Sequence, residues 1–113
     1  MADLRKTLLN YDITPGRYPF DEWLKDLRDR KGRSIILARL DRLQMHGHFG
    51  SHRILGPGLI ELKVDFGPGY RVYLGEDGQT LIILLCGGDK KSQDKDIRTA
   101  EAYWQNYRNR RRR

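Results

Sequence analysis

The sequence has almost no cysteine and no long apolar segment. Its one cysteine, Cys86, excludes an internal disulfide and is typical of a reducing compartment. The longest apolar run, residues 81–86, is far too short to span a bilayer. The amino terminus also lacks the basic start, apolar stretch and cleavage site of a secretory signal. We therefore expect a cytoplasmic protein without a membrane partner.

Acidic residues are fewer than basic ones. The 113 residues include 22 lysines and arginines but 15 aspartates and glutamates, a formal charge of +7. Such a charge favours polyanionic partners through long-range attraction and counterion release, although a basic surface can also serve solubility alone. A chain of this length forms one domain, residues 1–113, without room for a cofactor crevice and a second lobe. We expect a nucleic-acid partner and no cofactor.

Motifs for nucleotide hydrolysis and for zinc are incomplete. Residues 87–90 (GGDK) lack the full spacing of a phosphate-binding loop, which excludes nucleotide hydrolysis. His46, His48 and His52 give an H-x-H-x3-H pattern, but no cysteine lies nearby and the loop is rich in glycine. We expect no metal site. The alternatives for this loop are a histidine proton shuttle, or RNA contacts from His52 and Arg53.

Apolar residues at helical spacing predict three helices. Residues 20–27 form the first amphipathic stretch, with Gly32 in the position of a carboxyl-terminal cap. Ser34 is the predicted cap of the second helix, and Ser92 or Asp94 that of the third. The second helix presents this apolar stripe: Ile36, Leu37, Leu40 and Leu43. The third presents Ile97, Ala100, Trp104 and Tyr107.

Alternating residues predict the strands. Residues 7–13 suggest a first strand, followed by a loop to residue 18, and residues 61–66 and 70–74 flank a Gly-Pro-Gly turn as a hairpin. The apolar run after residue 79 predicts a third strand of this group, covered on both faces. We expect an α+β domain with about four strands in an antiparallel or mixed sheet, with a helical hairpin and a carboxyl-terminal helix packed on one face of that sheet.

Two stretches are expected to lie outside these elements. Residues 46–58 are rich in glycine and aperiodic, which predicts a surface loop. Residues 108–113 form a basic tail that we expect to be disordered.

The predicted hairpin has one apolar and one polar face. If residues 67–69 form the loop, Asp65 faces Arg71 and Lys63 faces Tyr73. The polar face then carries Glu61, Lys63, Asp65, Arg71 and Tyr73, and the apolar face carries Leu62, Val64, Phe66, Tyr70, Val72 and Leu74. One interpretation is a solvent-exposed face with ordinary ion pairs, Asp65 with Arg71 and Glu61 with Lys63.

The other interpretation is a catalytic face. The third strand ends near the hairpin turn and places Asp89, Lys90 and Lys91 there. The two lysines, together with Lys63 and Arg71, then make four cations around one concavity. Packed cations favour an anion and make a lysine a usable base. An RNA phosphodiester supplies that anion and, in its 2′-hydroxyl, an internal nucleophile. This chemistry requires no metal.

Two sequence segments carry a family resemblance. GPGYRVY, followed by LIILLCGGDKKSQDKDIRTAEAYW, resembles the addiction-module killer branch of the RelE/ParE toxin superfamily, close to the HigB toxins. The resemblance covers residues 20–107, including the FDEWLKDL helix and the helix with Ile36 and Leu37 in apolar positions. It implies a RelE-like fold and a ribosome-dependent endoribonuclease that cuts messenger RNA. It also implies neutralisation by a co-encoded antitoxin, usually a helix-turn-helix protein.

The resemblance also implies roles for single residues. Arg71 matches the arginine that contacts the scissile phosphate. Lys63 and Glu61 match the preceding strand, where relatives place lysines that activate the 2′-hydroxyl or hold the phosphate. Lys90 or Lys91 matches the basic position suited to the leaving oxygen or a neighbouring phosphate, and we leave the choice between them open.

One part of the family pattern is missing here. Several relatives carry a tyrosine or histidine near the start of the last helix, where this chain has Asp94, Lys95 and Asp96. The general acid is therefore unassigned. Tyr73 is a candidate to stack a base or donate its hydroxyl, and Asp89 is a further candidate for RNA contact.

Two other functions remain open at this level. A ParE-type toxin would inhibit DNA gyrase without cutting RNA, and a non-catalytic RNA-binding domain would leave bound RNA intact. The predicted cluster of Lys63, Arg71 and the lysines at 90 and 91 favours the nuclease, because ParE-like proteins tend to lack this set.

Overall fold

The computed structural model describes residues 3–111 as a five-stranded mixed sheet with three helices. In chain order the elements are β1 (Thr7–Asn10), α1 (Pro19–Asp26), α2 (Arg30–His46), β2 (His52–Gly56), β3 (Leu59–Val64), β4 (Tyr70–Asp77), β5 (Leu81–Asp89) and α3 (Gln93–Arg111). The strand order is β1-β5-β4-β3-β2, with β1 parallel to β5 and the other pairs antiparallel. The predicted α+β class is confirmed, but the sheet has five strands rather than about four.

The additional strand is β2, which lies inside the stretch predicted as a loop. It forms the edge of the sheet, and its first three side chains are exposed. Its pairing with β3 is irregular between Ile54 and Gly56. An edge strand with exposed side chains on both faces has no apolar alternation, so the sequence carried no signal for it.

Helices cover both faces of the sheet, not one as expected. One core cluster joins α1 and α2 to the sheet through Phe20, Leu24, Ile36, Leu40, Leu43, Ile60, Leu62, Val64, Tyr70, Val72, Leu74, Ile82 and Leu84. The other lies under α3 and contains Tyr11, Leu59, Tyr73, Ile83, Leu85, Cys86, Ala100 and Trp104. Leu37 is an exception to the predicted α2 stripe because its side chain is exposed.

The start of α2 differs from the prediction. The helix begins at Arg30 because Asp29 is its N-cap, and the Asp29 carboxylate accepts a 2.9 Å hydrogen bond from the Gly32 N–H. Gly32 therefore lies in the first turn of α2 and does not end α1, and Ser34 is an internal residue. A Cβ at Gly32 would lie 2.6 Å from the Tyr70 ring, so this turn packs directly on β4.

The β3–β4 hairpin has a longer loop than the sequence predicted. Val64 pairs with Tyr70, Lys63 with Arg71, and Glu61 with Tyr73, so the loop spans five residues, 65–69. This register is shifted by two residues from the predicted one. A shift of two keeps every side chain on its face, and the predicted division into apolar and polar faces holds within the strands. Asp65, expected opposite Arg71, lies in the loop.

Helix α3 continues into the stretch expected to be a disordered tail. It reaches Arg111, and two ion pairs fasten its last turn: Arg110 Nη1 lies 2.8 Å from Asp12 Oδ1, and Arg111 Nε lies 3.0 Å from Asp77 Oδ2. Basic side chains at a helix carboxyl terminus also suit its dipole. The expectation is thus wrong for residues 108–111, and residues 112–113 lie outside the described residues. No helix within residues 3–111 is long and apolar enough to cross a membrane.

Candidate active site

Basic side chains from two neighbouring strands meet on the α3 face of the sheet. Arg71 on β4 pairs directly with Lys63 on β3 and with Gly88 on β5. Lys63 is half-buried, and no ion pair involves it or Arg71 among residues 3–111. Like charges directly opposite each other destabilise a sheet, so this pair favours an anion beside it.

Arg71 is fixed in place, and its buried Nε donor has no partner. Its side chain is only 5% exposed, and Nη1 donates to the carbonyl oxygens of Gly69 (3.2 Å) and Tyr70 (3.0 Å). Its Nε is buried and has no hydrogen-bond partner within the described chain. A buried donor without a partner costs about 1–3 kcal/mol.

The first turn of α3 lies over the strand beside Arg71. A Cβ at Gly88 would collide with the Asp96 carboxylate and the Ser92 hydroxyl, so these groups occupy the space that a side chain would fill. The Ser92 Oγ–H donates to Asp96 Oδ2, and the Asp96 N–H donates to the Ser92 carbonyl. The sequence indicated only that relatives carry a different residue in this region. The close approach of Asp96 to β5 depends on Gly88, a contact that no local pattern reveals.

A buried polar network lies next to the Arg71–Lys63 pair. The Glu61 carboxylate is fully buried, and its Oε2 accepts 3.0 Å hydrogen bonds from the Tyr73 hydroxyl and from Gln93 Nε2 of α3. Arg53 on β2 places Nε 3.2 Å from Glu61 Oε1. Burial, together with the Glu61 charge, raises the pKa of Tyr73 far above its usual value. The network ties α3 to three strands.

This burial corrects two expectations from the sequence. Glu61 and Tyr73 were candidates for RNA contact, yet both side chains are fully buried. Neither can therefore stack on a base or contact RNA bound at the surface. The interpretation of this face as solvent-exposed, with Glu61–Lys63 and Asp65–Arg71 ion pairs, is also wrong. Neither pair forms within residues 3–111, and α3 covers this part of the sheet.

Of the two lysines after β5, the structure brings Lys90 to the hairpin turn. A Cβ at Gly69 would lie 3.0–3.2 Å from three carbons of Lys90, so the lysine stem packs on the turn. Lys90 also lines a shallow pocket of about 400 Å³ together with the turn residues 65–69. Gly69 is the residue whose carbonyl holds Arg71. Lys91 is exposed, and no described side-chain contact brings it to this cluster.

Asp89 shapes the backbone between β5 and α3. Its Oδ1 accepts hydrogen bonds from the N–H groups of Lys91 (2.9 Å) and Ser92 (3.2 Å). The carboxylate is thus committed to the turn that starts α3. An RNA contact, which the sequence suggested for Asp89, would compete with this role.

His52 and Arg53 point to opposite faces of β2. His52 pairs with Leu62, whose side chain belongs to the α1–α2 core, whereas Arg53 pairs with Glu61 on the α3 face. His52 Nδ1 lies 2.7 Å from the Gly50 carbonyl oxygen. The two residues therefore do not form one RNA-contacting pair. Within residues 3–111, no group of three His, Cys, Asp or Glu side chains is arranged to hold a metal ion.

Cys86 takes no part in this surface. It is buried opposite Tyr73, and burial raises the pKa of its thiol to about 12. The thiol is therefore protonated at neutral pH and chemically inert.

Comparison with known proteins assigns the family. The family model described as phage derived protein Gp49-like (DUF891) matches residues 22–105. An uncharacterized protein of Haemophilus influenzae (strain Rd) is 49% identical over 82 residues, which cover 73% of this chain and 82% of that protein. No solved structure matches. The chain belongs to the Gp49-like phage-derived family, a family of RelE-like addiction-module toxins whose members are generally the toxins of toxin–antitoxin systems.

Proposed function

We propose that the chain is a HigB-like toxin that cleaves messenger RNA on the ribosome without a metal ion or cofactor. The observation that carries this proposal is Arg71, a guanidinium that two backbone carbonyls hold in place directly beside Lys63. Family membership supports the toxin role, and the net charge of +7 supports a polyanionic substrate. The proposed partners are ribosome-bound messenger RNA and a helix-turn-helix antitoxin.

The proposed reaction uses the RNA's own 2′-hydroxyl as nucleophile. Lys63 accepts the hydroxyl proton, and the 2′-oxygen attacks the adjacent phosphorus. Arg71 donates to a non-bridging phosphate oxygen and stabilises the extra charge of the phosphorane. The bond from phosphorus to the 5′-oxygen then breaks, and Lys90 in its protonated form donates a proton to that oxygen. The products are a 2′,3′-cyclic phosphate and a free 5′-hydroxyl.

The positions of the three cations support these roles. Lys63 and Arg71 are cross-strand neighbours, so a base and a phosphate donor lie side by side. Lys90 reaches the same end of the hairpin by packing on Gly69. Positive charge from three side chains can stabilise a phosphorane without a metal ion, which is why the proposal assigns none.

The test is cleavage of messenger RNA on programmed ribosomes, followed by primer extension. The wild-type protein should cut within the decoded codon, and Arg71→Ala should be slower by about 10²–10³-fold, the usual loss when one transition-state donor is removed. Lys63 is half-buried and makes no described side-chain hydrogen bond, so Lys63→Ala serves as a second variant if Arg71→Ala folds poorly. Arg98→Ala removes the same charge from an exposed position of α3 and should cut normally.

Two results would contradict the nuclease. Inhibition of gyrase supercoiling together with uncut messenger RNA would favour a ParE-type toxin. Salt-dependent binding of RNA that stays intact in all variants would favour a non-catalytic RNA-binding domain.

A further inference from the structure

A second basic pocket lies next to the candidate active site, between α2 and β2. Its walls are Arg39, Arg42, His48, Gly50 and Ser51, and it encloses about 240 Å³. No carboxylate lines it. The proposed reaction uses none of these residues.

Arg39 is held in a fixed orientation at the back of this pocket. Its Nη1 donates to the Lys63 carbonyl oxygen (2.6 Å), and its Nη2 donates to the carbonyl oxygens of Phe49 (2.7 Å) and Ser51 (2.9 Å). A guanidinium has five N–H groups, so at least two remain for a ligand. The side chain is thereby pre-organised, and binding an anion there requires little further ordering.

The charges of the pocket are not balanced by ion pairs. Within residues 3–111, neither Arg39 nor Arg42 forms a salt bridge, whereas Arg5, Arg17 and Arg53 do. Burial lowers the pKa of Arg39 from its usual value, repulsion from Arg42 lowers it further, and Asp65 acts in the opposite direction. Both guanidiniums line the same pocket, so they repel each other, and an anion between them would relieve that repulsion.

The pocket is connected to the candidate active site through Lys63. Arg39 bonds the backbone carbonyl of Lys63, while the Lys63 side chain lies beside Arg71 on the other face of the sheet. The Lys63 N–H also donates to the Ser51 carbonyl, which links the pocket wall to β3. The two sets of cations thus lie on opposite faces of the sheet at the same end of β3, joined through the Lys63 backbone. A single RNA strand has phosphates at regular intervals, so a strand that passes around this end of β3 can contact both sets.

We propose that Arg39, Arg42 and His48 form a second phosphate-binding subsite, which holds the backbone of a single RNA strand near its scissile phosphate. The inference rests on the proposed function for the identity of the ligand. It extends that function by assigning an additional contact to the substrate outside the reacting atoms. Arg39 supplies fixed donors, the exposed Arg42 supplies charge at the mouth of the pocket, and the exposed His48 supplies a ring nitrogen there.

The test is the salt dependence of RNA binding. The probe is a fluorescent 12-nucleotide RNA with 2′-O-methyl sugars, which lacks the nucleophile and stays intact. For single strands, log K falls with log salt by about 0.7 per phosphate contact. Arg42→Ala should therefore reduce this slope by about 0.7. For each tenfold decrease in salt, the affinity of the variant should then fall about fivefold further behind that of the wild-type protein. Arg42→Lys should keep most of the slope.

A matched control and the opposing outcomes make the test decisive. Arg98→Ala removes one exposed arginine from α3, on the other face of the sheet, and should leave the slope unchanged. An unchanged slope in Arg42→Ala, an equal loss in Arg98→Ala, or no binding by the wild-type protein would each overturn the inference. Circular dichroism checks that each variant is folded.

The result is separable from the proposed nuclease activity. A slope change in Arg42→Ala combined with uncut RNA on ribosomes would refute the nuclease but leave the phosphate subsite in place. Cleavage that depends on Arg71, combined with RNA binding that ignores Arg42, would refute the subsite alone.

Discussion

Replacing Tyr73 by phenylalanine tests the buried network that ties α3 to the sheet. The substitution keeps the ring in the core and removes only the hydroxyl, which donates a 3.0 Å hydrogen bond to Glu61 Oε2. Both side chains are fully buried, so water cannot replace the lost donor without opening the packing. Glu61 keeps its bonds to Gln93 and its ion pair with Arg53. The change therefore isolates one bond to a buried charge.

The magnitude follows from the kind of hydrogen bond. A bond to a charged group contributes about 1.5–3 kcal/mol to stability, and we expect Tyr73→Phe to lower the free energy of unfolding by that amount. With a urea dependence of about 2 kcal/mol per molar, the midpoint of unfolding should fall by about 1 M. The slope itself should stay unchanged, because the fold and the surface exposed on unfolding are the same.

The assay is equilibrium unfolding in urea at neutral pH. The matched control is Tyr18→Phe, the same chemical change at a residue that is 40% exposed, and it should alter stability by less than about 0.5 kcal/mol. A loss below about 0.5 kcal/mol for Tyr73→Phe, or an equal loss in both variants, would refute the reasoning. Combining Tyr73→Phe with Glu61→Gln in a double-mutant cycle measures the coupling of the pair directly.

Three further predictions concern packing, capping and pH. A Cβ at Gly75 would collide with the Trp104 ring, so Gly75→Ala should cost about 1–3 kcal/mol in urea unfolding, whereas Gly56→Ala, with nothing within 4 Å, should be nearly neutral. Asp29→Ala should lower the free energy of unfolding by about 1 kcal/mol because it removes the α2 cap, whereas Asp29→Asn should keep most of the capping stability. Burial and the Asp29 bond raise the pKa of Tyr70 to about 12. The phenol thus stays protonated to higher pH in the folded state than in the unfolded state, and the free energy of unfolding should fall as the pH rises from 10 to 12. The fall should be less steep in Tyr70→Phe, which has no phenol to titrate.

Much of the fold follows from periodicity along the chain. Alternation over residues 61–66 and 70–74 predicted the hairpin and its two faces, because side chains in a strand alternate regardless of register. The exact pairing could not be predicted, since it depends on a five-residue loop whose turn is closed by backbone bonds such as Gly69 N–H to the Phe66 carbonyl. The start of α2 was predicted too late in the chain because both Asp29 and Ser34 are residue types that cap helices, and Ser34 was chosen.

The candidate site was only partly predictable. Lys63 and Arg71 lie on one face in any register that keeps the alternation, so the sequence brought them together correctly. Gln93 contacts Glu61 across 32 residues of sequence and Arg39 contacts the Lys63 carbonyl across 24, and no local pattern records such contacts. The approach of Asp96 to Gly88 is shorter in sequence but depends on how α3 packs on β5. The burial of this face by α3 was missed for the same reason. A strand pattern that is polar on one side indicates solvent unless another element supplies partners.

The central claim is that RNA cleavage depends on the fixed Arg71 guanidinium. The most direct measurement maps the 5′ ends of cellular transcripts after expression of the wild-type chain and of Arg71→Ala at equal protein levels. We predict new 5′ ends inside coding regions for the wild-type chain and for the Arg98→Ala control, and none above background for Arg71→Ala. The same new ends in a folded Arg71→Ala variant, or no new ends with the wild-type chain, would contradict the account.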